Sequence, residues 1–281
     1  MIGDLYDANN VVVGQAAVLV APNGTPLPDF KNLNLADPFD PTPFVSYSVA
    51  VVATSSYTLS YAGGTTAALT DTSTPAAIAT ALEAIPGVGA GNVTVTGTGT
   101  AYTVLFTEAV ASLASVLTST TTSGSATVTG GLWVPVGATD QGWTYGTNKS
   151  TQKINIEEQS TEVGTTINTQ SVTIAGALSE DISRTLALAY NGVLTSSAPS
   201  ATEPGYDTIE LTDDVVYYAV ALIAVNSETY PRIVYAPKWS QLANTTTAFR
   251  RATKQRMYPV DFATACKPSQ IQVFNITSPK T

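Results

Sequence analysis

The sequence predicts a mainly β protein: a β-sandwich or partial barrel with one packed α-helix, interrupted by a small inserted α+β domain. Charged residues make up only 12% of the chain, and Thr, Ser, Gly, Val and Ala take their place. β-Branched side chains suit a pleated, half-buried surface, which favours sheet over helix. The longest apolar run, residues 215–225, is too short to cross a bilayer and predicts a strand buried on both faces.

The inserted domain is predicted at residues 46–130, a stretch without Lys or Arg. It begins with the strand "SYTLSYAGG" and its Gly-Gly turn. A helix follows, with Thr74 as N-cap and Pro75 at its first position. The apolar face of that helix is formed by Ile78, Leu82 and Ile85. A hairpin, "NVTVTGTGTAYTVLF", comes next, and the Thr-Ser-Gly run at residues 119–131 is expected to be an exit linker.

Residues 1–45 and 131–281 are expected to form the main domain, because strand patterns resume on both sides of the insert. Its strands include "VVVGQAAVLV" and a hairpin that pairs residues 215–225 with residues 232–235. Its one helix is predicted from "SEDISRTLALAYNG", with Ser179 as N-cap and Gly192 just past its end. The apolar face of this helix is expected to be Ile182, Leu186 and Tyr190.

The composition argues against catalysis. The chain has no histidine, which removes the commonest proton shuttle, and its single cysteine, Cys266, can form no disulfide within the chain. The pairs Glu157-Glu158 and Asp213-Asp214 point to opposite faces of a strand, so neither pair can share a substrate. No catalytic residue, cofactor site or metal site is predicted. A glycosidase built on two distant carboxylates stays open as a minor alternative.

Two further motifs contain glycine or basic residues that are typical of phosphate or nucleic-acid binding. "GVGAGN" follows a helix and lacks the Lys-Ser/Thr of a phosphate loop, so a turn is the better interpretation. "FRRATKQRM" carries four basic residues, Arg250, Arg251, Lys254 and Arg256. A nucleic-acid patch is one reading of it, but the chain has a net charge of −9 and would repel phosphates. A solvated segment, or an edge that meets an acidic face of a neighbouring copy, fits better.

The segment "STQKINIEEQSTEVGTTINTQSVTI" predicts two strands that are mostly polar. Ile167 has the opposite parity to Val172 and Ile174, which predicts either a β-bulge between them or a strand that curls from one packing partner to another. A polar face along such a sheet is expected to meet water, as in an ordinary sandwich with one wet face.

The order of these elements resembles that of the major tail tube proteins of long, non-contractile-tailed bacteriophages. The likeness rests on "VGATDQGWTYG", which is similar to the lead into the family's first tube-wall strand. It rests also on the two polar strands and on the helix "SEDISRTLALAYNG" beside them. The insert resembles an accessory module of virion proteins from actinobacterial phages.

The resemblance implies a structural virion protein that forms hexameric rings, stacked into a tube that lets genomic DNA pass without specific binding. It implies assembly in the host cytoplasm, partners among the tail tip, tape measure and tail terminator proteins, no membrane, and an insert on the tube exterior. The expected tube-wall positions are Lys153, Asn155, Glu157, Thr166, Asn168 and Gln170. The expected contacts between subunits are Asp140, Trp143, Tyr145, Arg250, Arg251, Lys254 and Arg256. Residues 1–10 and a loop at residues 139–148 are further expected to join one ring to the next.

A different class of function stays open at this point. The Thr-rich insert is compatible with a bacterial surface or adhesin module that binds glycan or a host protein. That function requires export, and the N-terminus "MIGDLYDANN" shows neither the basic nor the apolar part of a secretory signal. We therefore expect a soluble structural protein.

Overall fold

A computed structural model of the chain describes residues 16–27, 44–107, 110, 115–137, 139–154, 164–179, 182–200, 202–225, 231–242 and 257–275. The protein is mainly β in this part, as predicted. The strands are β1 (Ala16–Pro22), β2 (Phe44–Val51), β3 (Ser56–Tyr61), β4 (Gly64–Thr65), β5 (Leu69–Thr70), β6 (Val93–Thr98), β7 (Ala101–Phe106), β8 (Thr118–Ser123), β9 (Ala126–Pro135), β10 (Thr139–Ile154), β11 (Gly164–Leu178), β12 (Gly192–Ser197), β13 (Tyr206–Leu211), β14 (Tyr217–Val225), β15 (Pro231–Gln241), β16 (Tyr258–Thr264) and β17 (Gln272–Asn275). The α-helices are α1 (Pro75–Glu83) and α2 (Ser183–Ala189).

One antiparallel sheet runs through most of the molecule. Its order is β10-β11-β16-β15-β14-β1-β9-β2-β7-β6, and β17 pairs with a further part of β15. A smaller sheet consists of β3 with β4, β5 and β8, while β12 and β13 pair only with each other. The sheets are open within this part of a single chain, so no closed barrel is formed.

The insert has a core of its own, built from residues that alternate along its strands. Tyr47 and Val49 of β2 face Tyr57 and Leu59 of β3 across the space between the two sheets, and all four are buried. Helix α1 closes this core with Ile78 and Leu82. Its N-cap is Thr74, whose hydroxyl accepts a hydrogen bond from the Ala77 amide at 3.2 Å, as the sequence predicts.

The main domain has apolar clusters on both faces of its central strands. Along β14, Val220 and Leu222 belong to one cluster, and Ala219, Ala221 and Ile223 belong to the other. The prediction of a strand buried on both faces is therefore confirmed, and so is its pairing with β15.

The sheet passes without a break from the main domain into the insert, because β9 serves both. Residues 126–133 pair with β2, whereas Val134 pairs with β1. The predicted borders at 45/46 and 130/131 thus fall inside β2 and β9. The indole nitrogen of Trp133 donates to Ser46 Oγ at 3.0 Å and to the Pro26 carbonyl at 3.2 Å, which ties the junction together.

Two local predictions are wrong. Residues 119–131 are not a linker: they belong to β8 and β9, since Thr and Val in alternation favour a strand more than Ser and Gly favour a coil. Helix α2 begins at Ser183, three residues later than expected, and its N-cap is Ile182, which makes no side-chain cap.

The buried face of α2 also differs from the predicted one. The helix buries Thr185, Leu188 and Ala189, while Ile182 and Tyr190 are exposed. Its end is formed by Asn191 in a left-handed conformation (φ 54°), and Gly192 already belongs to β12. The later start turns a different set of side chains toward the core.

Candidate assembly surfaces

The two polar strands form a long hairpin ribbon at one edge of the main sheet. Strand β10 pairs with β11 from Thr139 opposite Leu178 to Ile154 opposite Gly164. Strand β16 pairs with β11 only over its last six residues, Thr173 to Leu178. Toward Gly164, β11 therefore pairs with β10 alone among the described residues, and the ribbon extends past the end of β16.

The base of the ribbon is anchored in the core of the main domain. Val172 and Ile174 are buried there, and the indole of Trp143 lies against Gly176 on the same face. The opposite face is polar, and the Thr144 hydroxyl donates to the Ala175 carbonyl at 3.0 Å. The ribbon thus has one dry and one wet face at its base.

The outer part of the ribbon is exposed on both faces. All residues of β10 from 147 to 152 are exposed, and so is 57% of Ile167. The ladder shifts register there: Ser150 pairs with Thr169 but Thr151 pairs with Ile167, which leaves Asn168 as an extra residue. This is the bulge that the parity of Ile167 and Val172 predicts.

The register shows how the candidate tube-wall positions are arranged. Lys153 lies opposite Thr165 and Thr166 lies opposite Gln152, so these two candidates occupy consecutive rungs of the ladder. Gln170 lies opposite Lys149, two rungs before the bulge at Asn168. Asn155 and Glu157 lie outside the described residues, and the assignment of all six positions to a tube wall stays a prediction.

The candidate subunit contacts divide in a similar way. Asp140, Trp143 and Tyr145 all lie on β10, where Trp143 is half-buried and Tyr145 is 43% exposed. Residues 139–148 are therefore a strand, not the expected loop, although the register shifts between Thr139 and Trp143. Arg250, Arg251, Lys254 and Arg256 lie outside the described residues, as do residues 1–10.

A second hairpin, β12–β13, was missed in the sequence. It was recognisable from two short alternating stretches, "GVLTSS" and "YDTIEL", on either side of the turn-rich "APSATEPG".

An open, mostly apolar groove of about 410 Å³ lies beside the root of the β12–β13 hairpin. The groove is lined by residues of β1, β9, α2, β12 and β14, among them Val20, Val134, Arg184, Leu188, Val193 and Tyr217.

The described residues offer little that could carry out catalysis. They include no group of three His, Cys, Asp or Glu side chains placed to hold a metal ion. Burial raises the pKa of Cys266 above its ordinary value, which keeps the thiol protonated and weakly nucleophilic at neutral pH. Asp213 and Asp214 are exposed, and Glu157 and Glu158 lie outside the described part.

The insert presents an uncharged face rich in hydroxyl groups. One rung of its sheet carries Thr129, Ser48, Thr103 and Thr96 on four neighbouring strands. The four tyrosines of the insert, by contrast, are buried: Tyr47, Tyr57, Tyr61 and Tyr102. Sugar rings stack on exposed aromatic faces, so these tyrosines cannot supply a glycan-binding platform.

No protein-family model matches this sequence, and none of the curated proteins compared with it matches either. Within the described residues, neither helix has the length and apolar character needed to span a membrane.

Proposed function

We propose that the protein is a structural subunit whose copies join into rings through the β10–β11 ribbon, and that stacked rings form a phage tail tube. The observation that carries this proposal is the ribbon itself. Its outer part extends past the end of β16 and is exposed on both faces, and among the described residues β10 stands at the end of the sheet order.

A ribbon of this kind is unfavourable in a monomer for two reasons. A two-stranded hairpin is at best marginally stable in water, and an edge strand offers a row of backbone groups to any other strand. Identical neighbours that continue the sheet remove both problems, and a closed ring removes the edge altogether. Six copies agree with the family resemblance described above.

The chemistry of the ribbon fits a channel for DNA. Apart from Asp140, Lys149 and Lys153, its described residues are uncharged. A wall with few basic residues releases few counterions from DNA, so it would bind phosphates weakly and let the duplex slide. The partners at the tube ends would be the tail tip, tape measure and tail terminator proteins.

Electron microscopy of the concentrated protein tests this function. Rings or tubes about 100 Å wide are expected, a width scaled from 24 wall strands about 4.8 Å apart plus an outer layer. A protein that stays monomeric at high concentration, even with a tail tip added, would contradict the proposal.

A shortened ribbon gives the matched control. Residues 149–170 are replaced by a two-residue Asn-Gly turn that joins Asn148 to Ser171, which are already opposite each other. The buried residues Val172 and Ile174 remain, so we expect this variant to fold but not to form rings. Ring formation by the shortened variant would show that the ribbon is not the joint.

A further inference from the structure

The β12–β13 hairpin stands apart from both sheets. Five of the six residues in each of its strands are exposed, and among the described strands each pairs only with the other. Close to its turn, the hairpin is held against the first residue of α2, because Ser183 and Ser196 donate hydrogen bonds to Asp207 and so lower the pKa of that carboxyl. A hairpin with so little support needs a further surface to pack against.

The hairpin lies in the part of the molecule with the most exposed apolar surface. Of the thirteen large apolar side chains that are exposed in the described residues, seven lie between residues 182 and 215. These seven are Ile182, Tyr190, Val193, Leu194, Tyr206, Leu211 and Val215. Tyr206 is 55% exposed and lies opposite Ser197, at the turn end of the ladder. An exposed tyrosine at the tip of a protrusion is a typical anchor for a protein partner.

The hairpin and its flanks are strongly acidic. Between residues 202 and 214 the sequence has five acidic residues, Glu203, Asp207, Glu210, Asp213 and Asp214. No Lys or Arg occurs between Arg184 and Arg232. A partner surface for this hairpin should therefore be apolar at its centre and basic at its rim.

The groove on the same chain has this character. Its lining is mostly apolar and includes Arg184, whose guanidinium Nη1 donates to the Pro135 carbonyl at 3.3 Å. Lys238 Nζ lies 4.0 Å from the centroid of the Tyr217 ring, and Tyr217 also lines the groove. The rim thus carries two cations, opposite in sign to the hairpin.

The groove of the same chain is open, although the hairpin forms one of its walls. Gly192, Val193 and Leu194, at the root of the hairpin, line the groove. Tyr206 is five ladder steps from the Gly192 end, about 17 Å away along the strand, and is not among the residues that line the groove. The Tyr206 ring of the same copy therefore does not fill it.

We propose that the β12–β13 hairpin of one copy docks in the groove of a neighbouring copy. Tyr206 is the anchor that enters the apolar centre, and Glu203 and Asp207 lie near the Arg184 and Lys238 side chains of that neighbour. The two contact surfaces are different patches of one chain, so the contact is heterologous and can repeat from copy to copy. This inference deepens the proposed assembly and rests on it for the presence of identical neighbours.

Crosslinking between two separately purified chains tests this contact. Both chains carry Cys266→Ser; one also carries Ser197→Cys, beside the anchor, and the other Asn23→Cys, on an exposed part of the groove lining. A short bis-maleimide is added to the mixture, so that only contacts between copies yield a crosslinked pair of different chains. A chain with Val116→Cys, an exposed site in the insert, replaces the Ser197→Cys chain as the control.

We expect the Ser197→Cys and Asn23→Cys chains to crosslink well above the control. Adding Tyr206→Ser to the first chain should weaken the association about tenfold or more, whereas Val116→Ser should leave it unchanged. Crosslinking that equals the control, or that persists with Tyr206→Ser, would overturn the inference. Specific crosslinking in a protein that forms no rings would support the docking and contradict the proposed tube. Rings without specific crosslinking would support the tube and contradict the docking.

Discussion

Trp143 and Gly176 lie opposite each other in the β10–β11 ladder, and the indole covers the glycine so closely that a side chain there would collide with it. A Cβ placed on Gly176 would lie 2.7 Å from Cε3 of the Trp143 ring. The glycine thus allows the indole to cover the base of the ribbon, next to the buried Ile174.

Gly176→Ala should therefore destabilise the base of the ribbon. Overpacking of this kind costs about 1–3 kcal/mol of unfolding free energy, measurable by urea denaturation. Gly146→Ala is the matched control on the partner strand, because its Cβ would meet only the Thr173 hydroxyl at 3.3 Å. Equal losses in the two variants would show that the indole is not held against Gly176.

Deletion of Asn168 should separate folding from assembly. The deletion leaves Ser150 opposite Thr169 and Thr151 opposite Ile167 in a regular ladder, so the unfolding free energy should change by no more than about 1 kcal/mol. Bulges bend and twist a strand, so the straightened ribbon should no longer present its edge at the angle that rings require. Electron microscopy of the deletion variant shows whether rings form. The Asn168→Ala variant, which keeps the extra residue, is the control. Normal rings from the deletion variant would rule out a role for the bulge in assembly.

Ser46→Ala should weaken the junction between the main domain and the insert. The buried Ser46 hydroxyl donates to the Pro26 carbonyl at 2.6 Å and accepts from the Trp133 indole. Its loss leaves buried polar groups with fewer partners and should cost about 1–3 kcal/mol by denaturant unfolding. Ser48→Ala, two residues further along the same face of β2 at a half-buried position, should change stability by at most about 0.5 kcal/mol.

The contribution of the indole can be separated in a double-mutant cycle. Trp133→Phe alone removes the donor to Ser46, so the two substitutions together should cost less than the sum of their separate effects. Additive costs would show that the junction does not depend on this pair.

Three tyrosines should make the protein less stable at high pH. Burial raises the pKa of Tyr57, Tyr218 and Tyr235 to about 12, from the usual 10 in the unfolded chain. The folded state keeps these protons longer than the unfolded state, so their stabilising effect is complete below pH 10 and is lost as the pH rises to about 12. Unfolding free energies measured across this range should fall as the pH rises. Each Tyr→Phe variant should show a smaller decrease in unfolding free energy per pH unit.

Substitution of two of these tyrosines by Phe should affect the unfolding free energy differently at neutral pH. The Tyr57 hydroxyl is buried without a hydrogen-bond partner among the described residues, whereas the Tyr235 hydroxyl donates to the Thr25 carbonyl at 2.8 Å. Tyr57→Phe should thus be neutral or stabilising, and Tyr235→Phe should cost about 1–3 kcal/mol. The reverse order would contradict the hydrogen-bond assignment.

Patterns contained within a few residues were read correctly from the sequence. Thr74 and Pro75 start α1, and the parity of Ile167 and Val172 marks the bulge. A turn ends β3 as predicted, although it consists of Ala62 and Gly63, and Gly64 already belongs to β4. Each depends on backbone or side-chain geometry among neighbours along the chain, which is why the sequence alone predicts it.

The wrong predictions concern features that depend on contacts between residues far apart in the sequence. Helix α2 buries Leu188 and packs the half-buried Leu186 against the core, whereas the predicted Ile182 and Tyr190 are exposed, because contacts with the sheet determine which side chains of the helix are covered. The Thr-rich residues 119–131 form strands because β2 and β3 are there to pair with them. The groove beside β12 had no signal in the sequence, since five separate elements line it.

The sequence by itself determined a mainly β chain with an insert that lacks Lys and Arg and with two polar strands in succession, because alternation and composition are local properties. Only the tertiary structure decided that β9 joins the insert to the main sheet, that the polar strands extend past the end of β16 as a ribbon, and that β12–β13 stands beside an apolar groove. The physical reason is that a strand finds its hydrogen-bond partners across the whole chain, and those partners determine which edges and side chains are left for other molecules.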